Sequence, residues 1–354
     1  MSLILGIETS CDDTSVALVD GRTVLAQVIL SQEDHAAWGG IVPELASRAH
    51  LAAIAAVVET TLERAGVEIG QIAAIAATNR PGLIGSLLVG LNVAKGMALA
   101  TGRPFIAVNH IEAHLLSVLI ENEVEYPYLA LLVSGGHTLL YDVISSTEQS
   151  LIGATRDDAA GEAFDKGAKL LGLGYPGGPV IDRLAAEGDS GAHRFPRSMM
   201  NDASLDFSFS GVKTALRYYL RDQHQDAPLE DAVLRDVAAS YQEAIVDVLV
   251  EKTKRGAKKC GRKTIALVGG VAANRRLRER FAAVCDQQEW RLLTTDITYS
   301  TDNAAMIGLV GSLRFAQGAY SPLSTVAQST LPEAKAFRGK GRRIALSVDR
   351  GLSA

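Results

Sequence analysis

The order of apolar segments between residues 72 and 117 restricts the possible folds more than any other feature of this sequence. Two short apolar segments, 72–78 and 104–108, have the length and composition of buried strands. Each precedes a predicted helix, 85–100 after the first and a helix from Asn109 after the second. Strands that alternate with helices in this way lie parallel in one sheet, which predicts an α/β fold. The glycines of the first helix predict that it packs closely on the sheet: Gly85, Gly90 and Gly96.

A strand–turn–strand unit lies on each side of this region. In residues 3–30 apolar strands flank the polar turn 8–15, and in residues 128–143 they flank the turn 134–138. We interpret the two units as an internal repeat, which predicts two lobes of the same design. Both turns offer backbone N–H groups and hydroxyls that suit a phosphate. Each unit taken alone is also an ordinary hairpin.

Size and composition fit a two-lobed globular protein. The chain has 354 residues, of which 47% are apolar and 21% charged. Its three cysteines form no C-x-x-C pair, which favours a reducing compartment over a disulfide framework. The N-terminus lacks the basic segment and cleavage site of a signal peptide, and the apolar run 51–58 is too short to span a bilayer. We therefore expect a cytoplasmic protein without a membrane segment.

The charge distribution allows nucleic-acid binding only at a local patch. The net charge is −5, so the whole molecule does not attract a polyanion. Residues 252–263 are strongly basic without an acid among them, and the segments 275–278 and 338–343 add further arginines. A charge run is more often a solvated face than a binding site. An RNA contact at these segments is therefore a hypothesis.

The helix that begins near Asn109 carries a histidine pair. Asn109 is a good N-cap, and Glu112 stands where a capping box places its acid. His110 and His114 are four residues apart, so both lie on one helical face and can bind one divalent metal ion. Glu112 points away from them, unlike the acid of the zinc-protease pattern H-E-x-x-H. The alternative is a pair of polar helix residues bonded to nearby backbone.

Other segments could bring backbone or carboxylates to a ligand. A glycine-rich segment, 172–178, precedes Asp182 and allows close approach of backbone, although it could also be a plain turn. The strand 264–268 leads through Gly269 and Gly270 into a helix, which places amides at a nucleotide. Asp302 begins the last helix, where it either caps that helix or extends into a cleft.

An ordered set of motifs covering about residues 3 to 320 resembles the bacterial TsaD family of tRNA N6-adenosine threonylcarbamoyltransferases, formerly called O-sialoglycoprotein endopeptidases. The motifs are N-H-I-E-A-H, V-S-G-G-H-T, G-E-A-F-D-K, Y-P-G-G-P, F-S-F-S-G-V-K, G-G-V-A-A-N-R-R-L and T-D-N-A-A-M-I-G. The resemblance implies an actin/hexokinase/Hsp70-like fold with two lobes and a nucleotide cleft. We expect an N-terminal lobe at 1–122, joined by a returning helix at about 302–325. The C-terminal lobe is expected at 123–301, followed by a basic tail at 326–354.

The resemblance also implies an activity and a set of site residues. The family transfers a threonylcarbamoyl group from threonylcarbamoyl-AMP to the N6 amine of the adenosine beside a tRNA anticodon. Its metal ligands correspond to His110, His114 and Asp302, a set that favours Fe(II), with Zn(II) as the alternative. His137 is the candidate catalytic residue, and Gly269 and Gly270 form the nucleotide turn. The substrate-binding positions are Val133, Ser134, Gly135, Gly136, His137, Asp165, Gly178 and Asn274, to which we add Asp182.

The family implies partner proteins in addition to tRNA and threonylcarbamoyl-AMP. They are a paralogous actin-like subunit of the TsaB type and a small ATPase of the TsaE type. One departure from the family pattern is Arg80, where we expect a glycine before Pro81-Gly82. This change does not affect the motif residues, so the expected function stands.

Competing functions come from other classes of protein. A metalloprotease would cleave a glycoprotein in the presence of metal, but the position of Glu112 argues against it. A small-molecule kinase or ATPase of the same fold would turn over ATP with a sugar or an acid. A pair of lobes that only binds partners would contain no metal.

Overall fold

The computed structural model describes residues 2–32, 40–225 and 227–330, together with the backbone of a strand at 344–346. The predicted basic tail lies mostly outside this part of the chain, as do the arginines of 338–343. The predicted lobe boundaries stay a prediction.

Two mixed sheets form the centre of the protein. The strands are β1 Leu3–Glu8, β2 Asp13–Asp20, β3 Thr23–Ser31, β4 Ala74–Arg80, β5 Phe105–Asn109, β6 Tyr128–Val133, β7 Thr138–Val143, β8 Gln149–Ala154, β9 Thr264–Val268, β10 Arg291–Thr294 and β11 Ile344–Leu346. The first sheet has the order β3-β2-β1-β4-β5, and the second β10-β9-β6-β7-β8-β11. In the first, β1, β4 and β5 are parallel, whereas β2 and β3 are antiparallel additions. The segment β8-β7-β6-β9-β10 repeats this pattern, which confirms two lobes of one design.

The helices cover the sheets and end where the sequence stops them. They are α1 Pro43–Ala65, α2 Ile84–Thr101, α3 His110–Leu116, α4 Ala160–Leu170, α5 Gly177–Ala185, α6 Ser210–His224, α7 Asp231–Cys260, α8 Arg275–Gln288, α9 Ile297–Ser300 and α10 Ala304–Ala316. Helix α1 ends at Gly66, whose φ of 63° is the left-handed conformation that favours glycine. The predicted α/β fold is therefore confirmed.

One buried cluster joins the two sheets. Val108 of β5, Leu115 of α3, Leu132 of β6 and Ile307 of α10 all belong to it and are fully buried. Because α3 and α10 lie in this cluster, the residues at their N-terminal ends are held by a shared core and not by loops alone.

Helix α10 returns from the second sheet to the first and lies directly on β1. A Cβ on Gly6 of β1 would stand 2.5 Å from the carbonyl oxygen of Ala304 and 2.5 Å from the nitrogen of Gly308. Only glycine at position 6 allows this approach. The approach fixes where α10 begins, and therefore where Asp302 lies.

Helices α1 and α2 are long and apolar enough to cross a membrane by composition alone, with a third of each apolar window buried. The apolar run 51–58, which is too short to span a bilayer, is only part of the longer helix α1. Ile54 of α1 and Leu91 of α2 pack with strand residues in one buried cluster. The outer faces of the two helices leave an apolar groove lined by Leu51, Leu88, Val89, Asn92 and Val93.

The glycines of α2 differ in what they contact. A Cβ on Gly90 would meet Thr9 Oγ1 at 2.5 Å and Ile7 Cγ2 at 3.2 Å, so this glycine packs on the first sheet as predicted. Gly85 faces Ser47 of α1 instead of the sheet. Among the described residues, no heavy atom lies within 4 Å of a Cβ added at Gly96, so the prediction for this position was wrong.

Two alanine substitutions in α2 test this packing. Gly90→Ala should destabilise the protein by about 1–3 kcal/mol because the methyl group overpacks the contact with β1. Gly96→Ala should stabilise it by about 0.5–1 kcal/mol because alanine has the better helix propensity at an open position. Chemical denaturation of both variants measures the difference. Equal stability of the two would contradict the close approach at Gly90.

Candidate metal centre and nucleotide cleft

The histidine pair lies at the junction of β5 and α3. The Asn109 side chain accepts a hydrogen bond of 2.9 Å from the backbone N–H of Ile111, so it caps the helix as predicted. His110 and His114 are both buried, and their ring centroids are 4.6 Å apart. The two imidazoles therefore face the same space.

Asp302 reaches the pair from the other end of the sequence. Its Oδ1 lies 3.1 Å from Nε2 of His114 and 3.5 Å from Nε2 of His110. The cap of α10 is Asn303, whose side chain accepts a bond of 3.0 Å from the backbone N–H of Met306. Of the two alternatives for Asp302, the helix cap is therefore wrong, and the carboxylate extends towards the histidines.

The three side chains fit a divalent transition metal. One ligand atom from each lies within 4.8 Å of the others, and no other such group occurs in the described part of the chain. A metal about 2.0–2.2 Å from each ligand separates neighbouring ligands by about 3.0–3.5 Å. The observed separations of 3.1 and 3.5 Å agree with that spacing. Two imidazoles and one carboxylate are also a set that Fe(II) and Zn(II) accept.

Glu8, at the end of β1, is a site residue that the sequence reasoning missed. Its Oε2 lies 3.0 Å from Nδ1 of His110, on the side of the ring opposite Asp302. Ser10 Oγ is 3.2 Å from the same nitrogen. Strand order could have indicated Glu8. Parallel strands have their carboxyl ends at the same edge of a sheet, so the residue that ends β1 lies near the residue that follows β5.

The charges at this centre determine one another's protonation. Burial alone would lower the pKa of His110, but the carboxylates of Asp302 and Glu8 raise it to about 10. Burial lowers the pKa of His114, and the neighbouring charge of His110 adds to this effect. Burial acts to raise the pKa of Asp302, but His110 outweighs it and holds that pKa well below its usual range.

Glu112 does not close a capping box on α3. Its Oε2 accepts a bond of 2.7 Å from Nη2 of Arg314, a residue of α10. The prediction of a cap was wrong because a distant cation offered a stronger partner than the nearby backbone N–H. The prediction that Glu112 points away from the histidines is confirmed. The ion pair joins the helix that carries the histidines to the helix that follows Asp302.

The turn between β6 and β7 carries Val133 to His137. Ser134 and His137 close it, because Ser134 N–H donates to the His137 carbonyl at 2.8 Å and Ser134 Oγ accepts from His137 N–H at 3.1 Å. Gly135 and Gly136 are exposed, and no heavy atom of the part of the chain that the structure describes lies within 4 Å of a Cβ added at either position. Burial, assisted by the charges of His110 and His114, lowers the pKa of His137 to about 4. Its imidazole is therefore neutral at pH 7.

Asp165 of α4 lies beside the N-terminal end of α5, which carries Gly178. Asp165 Oδ1 accepts a bond of 2.8 Å from the backbone N–H of Gly177, and burial raises the pKa of this carboxyl group. Gly178 is in the first turn of α5 and has no heavy atom within 4 Å of an added Cβ. Gly178 therefore leaves room for a ligand beside the Asp165 carboxylate among the described residues.

Asp182 and Asn274 meet at the start of α8. Asp182 Oδ2 accepts a bond of 3.1 Å from the backbone N–H of Arg275, while its Oδ1 is buried without a hydrogen-bond partner among the described residues. Asn274 caps α8 through a bond of 2.8 Å from Leu277 N–H, and its amide donates to Gln242 at 2.7 Å. The amide of Asn274 is thus committed to structure, whereas Asp182 retains one oxygen for a ligand.

The glycines of the turn after β9 have different roles. Gly269 has a φ of 92°, and a Cβ there would stand 2.4 Å from the carbonyl oxygen of Val133. Gly270 faces open space, with Thr301 Cγ2 at 3.7 Å from an added Cβ. The turn therefore lies between the β6–β7 turn and the segment that holds Asp302. Positions 133, 270 and 302 are therefore close to one another in the fold.

The basic stretch 252–263 is less free than its sequence indicates. Lys252 is fully buried and donates to Asp202 at 3.1 Å. Arg255 pairs with Glu251, and Arg262 pairs with Asp142. The expectation of uncompensated charge was wrong, because Asp202 and Asp142 reach the stretch from distant positions and Glu251 directly precedes it. An RNA contact at this stretch stays a prediction.

Comparisons with known proteins agree on one family. The family model described as "TsaD: tRNA N6-adenosine threonylcarbamoyltransferase" matches residues 23–309. The protein of that name from Syntrophotalea carbinolica is 51% identical over 332 residues, which cover 93% of this chain and 96% of the relative. The one from Rhizobium meliloti is 46% identical over 357 residues, covering 96% of this chain and 98% of the relative.

Solved structures with little sequence identity share the fold. HypF in a phosphate- and nucleotide-bound form aligns with a TM-score of 0.58 at 13% identity, over 90% of this chain and 47% of HypF. Component A of the (R)-2-hydroxyglutaryl-CoA dehydratase of Acidaminococcus fermentans aligns with a TM-score of 0.55 at 15% identity, over 89% of this chain and all of that one. These similarities bear out the two-lobed actin-like fold.

Removal of one imidazole tests the metal centre. His110→Ala should lose the bound metal, because two remaining protein ligands hold a divalent ion poorly. Elemental analysis after anaerobic loading with Fe(II), or loading with Zn(II), measures the content. His224→Ala is the matched control, since that histidine bonds to Tyr219 on a different surface and should leave the content unchanged. A full equivalent of metal in His110→Ala would place the centre elsewhere.

Proposed function

The chain belongs to the TsaD family of tRNA N6-adenosine threonylcarbamoyltransferases, and we propose the reaction and the residues by which it makes threonylcarbamoyladenosine (t6A). The donor is threonylcarbamoyl-AMP. The acceptor is the N6 amine of the adenosine at position 37, next to the anticodon, in tRNAs that read codons starting with A. The observation that carries the proposal is the meeting of His110, His114 and Asp302 beside glycine turns with open faces.

The donor is a mixed carbamic–phosphoric anhydride, so the chemistry is an acyl transfer. The adenine amine attacks the carbamoyl carbon, a new N–C bond forms, and the C–O bond to phosphate breaks. AMP leaves with the electron pair, and the amine loses one proton. Because the donor is already activated, the reaction needs no covalent intermediate on a serine or cysteine. Catalysis then consists mainly of positioning and electrostatic stabilisation.

His110, His114 and Asp302 would hold one divalent metal ion, for which we favour Fe(II), with Zn(II) as the alternative. When bound, the ion would act as a Lewis acid towards the carboxylate or carbonyl oxygen of the donor. The protein would contribute three ligands held by rigid elements, since α3 and α10 share one core and the Glu112–Arg314 ion pair. These side chains would thus keep their geometry when the tRNA binds.

The glycine turns would bind the AMP part of the donor. The N–H groups of Gly135 and Gly136 lie on an open face where a phosphate can approach closely. Gly270 would offer a second open backbone position nearby, and Gly269 fixes the turn through its contact with Val133. Asp165 and the free oxygen of Asp182 would accept hydrogen bonds from ribose hydroxyls.

His137 is the candidate for proton transfer. A neutral imidazole has one N–H donor and one acceptor nitrogen. It could take the proton from the adenine amine, which requires the neutral form, or it could donate a hydrogen bond to the leaving phosphate through its N–H group. A metalloprotease mechanism lacks its base here, because Glu112 pairs with Arg314 and faces away from the histidines.

We propose that the protein works in the cytoplasm with two partner proteins, a paralogous actin-like subunit of the TsaB type and a small ATPase of the TsaE type. The apolar groove between α1 and α2 supports the need for a partner, because apolar patches on a soluble protein are often covered by another chain. The packing of both helices on the first sheet supports a soluble protein over a membrane protein.

A transfer assay tests the proposed function. Metal-loaded protein, threonylcarbamoyl-AMP and unmodified tRNA, with and without the two partner proteins, should give t6A at position 37 and one AMP per modification. Mass spectrometry of the digested tRNA measures the product. Gly136→Val should retain its metal but lose most product, because the added side chain fills the open face of the turn. Without product under any of these conditions, the proposal fails.

A further inference from the structure

We infer that Glu8 is a positioning residue of the metal centre, which fixes the ring orientation and the tautomer of His110. The inference rests on the metal centre proposed above. Glu8 is not among the three ligands, since its carboxylate contacts the nitrogen of His110 that faces away from Asp302.

The Glu8 carboxylate is fully buried and firmly held. Its Oε1 accepts a bond of 2.5 Å from the backbone N–H of Ser10, and its Oε2 accepts one of 2.6 Å from Thr78 Oγ1. Oε2 also lies 3.0 Å from Nδ1 of His110. An ionised carboxylate only accepts hydrogen bonds, so it selects the tautomer with hydrogen on Nδ1. When a metal ion replaces the proton on Nε2, the lone pair of that nitrogen points towards Asp302, where the metal would bind.

The sheet supplies the rigidity for this arrangement. Glu8 is the last residue of β1, Thr78 belongs to β4, and His110 follows β5. These three strands are parallel neighbours, so the hydrogen bonds run across the carboxyl edge of the sheet. Groups held by adjacent strands are placed more accurately than groups on loops.

The two histidines differ in the hydrogen-bond partners of their Nδ1 atoms. Nδ1 of His114 is buried and has no hydrogen-bond partner among the described residues. Its orientation depends on the helix and on Asp302, which lies 3.1 Å from its Nε2. Glu8 therefore makes His110 the ligand whose nitrogen is oriented before the metal arrives.

Glu8→Gln tests whether Glu8 positions His110. A side-chain amide has only one acceptor oxygen, so it cannot accept hydrogen bonds from both Ser10 N–H and His110 Nδ1–H. With its NH₂ group towards His110, glutamine opposes the N–H at Nδ1 and favours the tautomer that blocks Nε2. With its NH₂ group towards Ser10, it opposes that backbone N–H. Metal affinity should fall by about 10- to 100-fold, the usual effect of losing a partner of a ligating histidine. Competition for Co(II) or Zn(II) with a chelator, well below the unfolding temperature, measures it.

Thr78→Val is the matched control, because it removes another hydrogen bond of the same carboxylate but leaves Glu8 beside His110. Its metal affinity should stay near the wild-type value even if its melting temperature falls. A folded Glu8→Gln variant with wild-type affinity would overturn the inference, as would equal losses in both variants.

A measurement on the wild-type protein does not depend on whether the variants fold. Nitrogen-15 NMR of the zinc-loaded wild type should show His110 with hydrogen on Nδ1 and zinc on Nε2. Zinc on Nδ1 would overturn the inference. Failure of the wild type to bind metal would refute the proposed metal centre itself, so the two failures are distinguishable.

Discussion

The arrangement of the site depends on the approach of one carboxylate, that of Asp302, to two imidazoles. Helix α10 places Asp302 because Gly6 lets this helix lie on β1 and Asn303 caps its first turn. Strand β5 and the Asn109 cap place the histidines. Burial of these groups is unfavourable unless they are paired or bind a metal. A core shared by both sheets and the Glu112–Arg314 ion pair keep the two helices in register.

The internal repeat gives equivalent turns different roles. The turn after β1 supplies Glu8 and Ser10 to Nδ1 of His110. The equivalent turn after β6 presents Gly135 and Gly136 to open space and is fixed by Ser134 and His137. In our proposal the first turn therefore supports the metal centre, and the second binds the phosphate of the donor. Two lobes of one design would thus each supply a different part of the proposed site.

The features that could be predicted from the sequence are those that depend on local periodicity and on the order of strands and helices. The histidine spacing, the alternation of strands and helices, the repeated hairpin and the Asn109 cap all follow from residues close together in the chain. Contacts between distant residues were missed: Glu8 is 102 positions from His110, and Arg314 is 202 from Glu112. The same limit made the stretch 252–263 look uncompensated, since Asp142 and Asp202 reach it from elsewhere. Gly96 shows that a glycine in a helix need not mark close packing.

The most direct test of the metal centre is X-ray absorption spectroscopy of the zinc-loaded protein. We predict only nitrogen and oxygen neighbours at about 2.0–2.2 Å, with the multiple scattering of two imidazoles. Cys11 lies in the turn beside Glu8, so a thiolate is the natural competing ligand. A sulfur neighbour at about 2.3 Å would refute the proposed metal centre, because it would show that a cysteine and not the His110–His114–Asp302 set binds the ion.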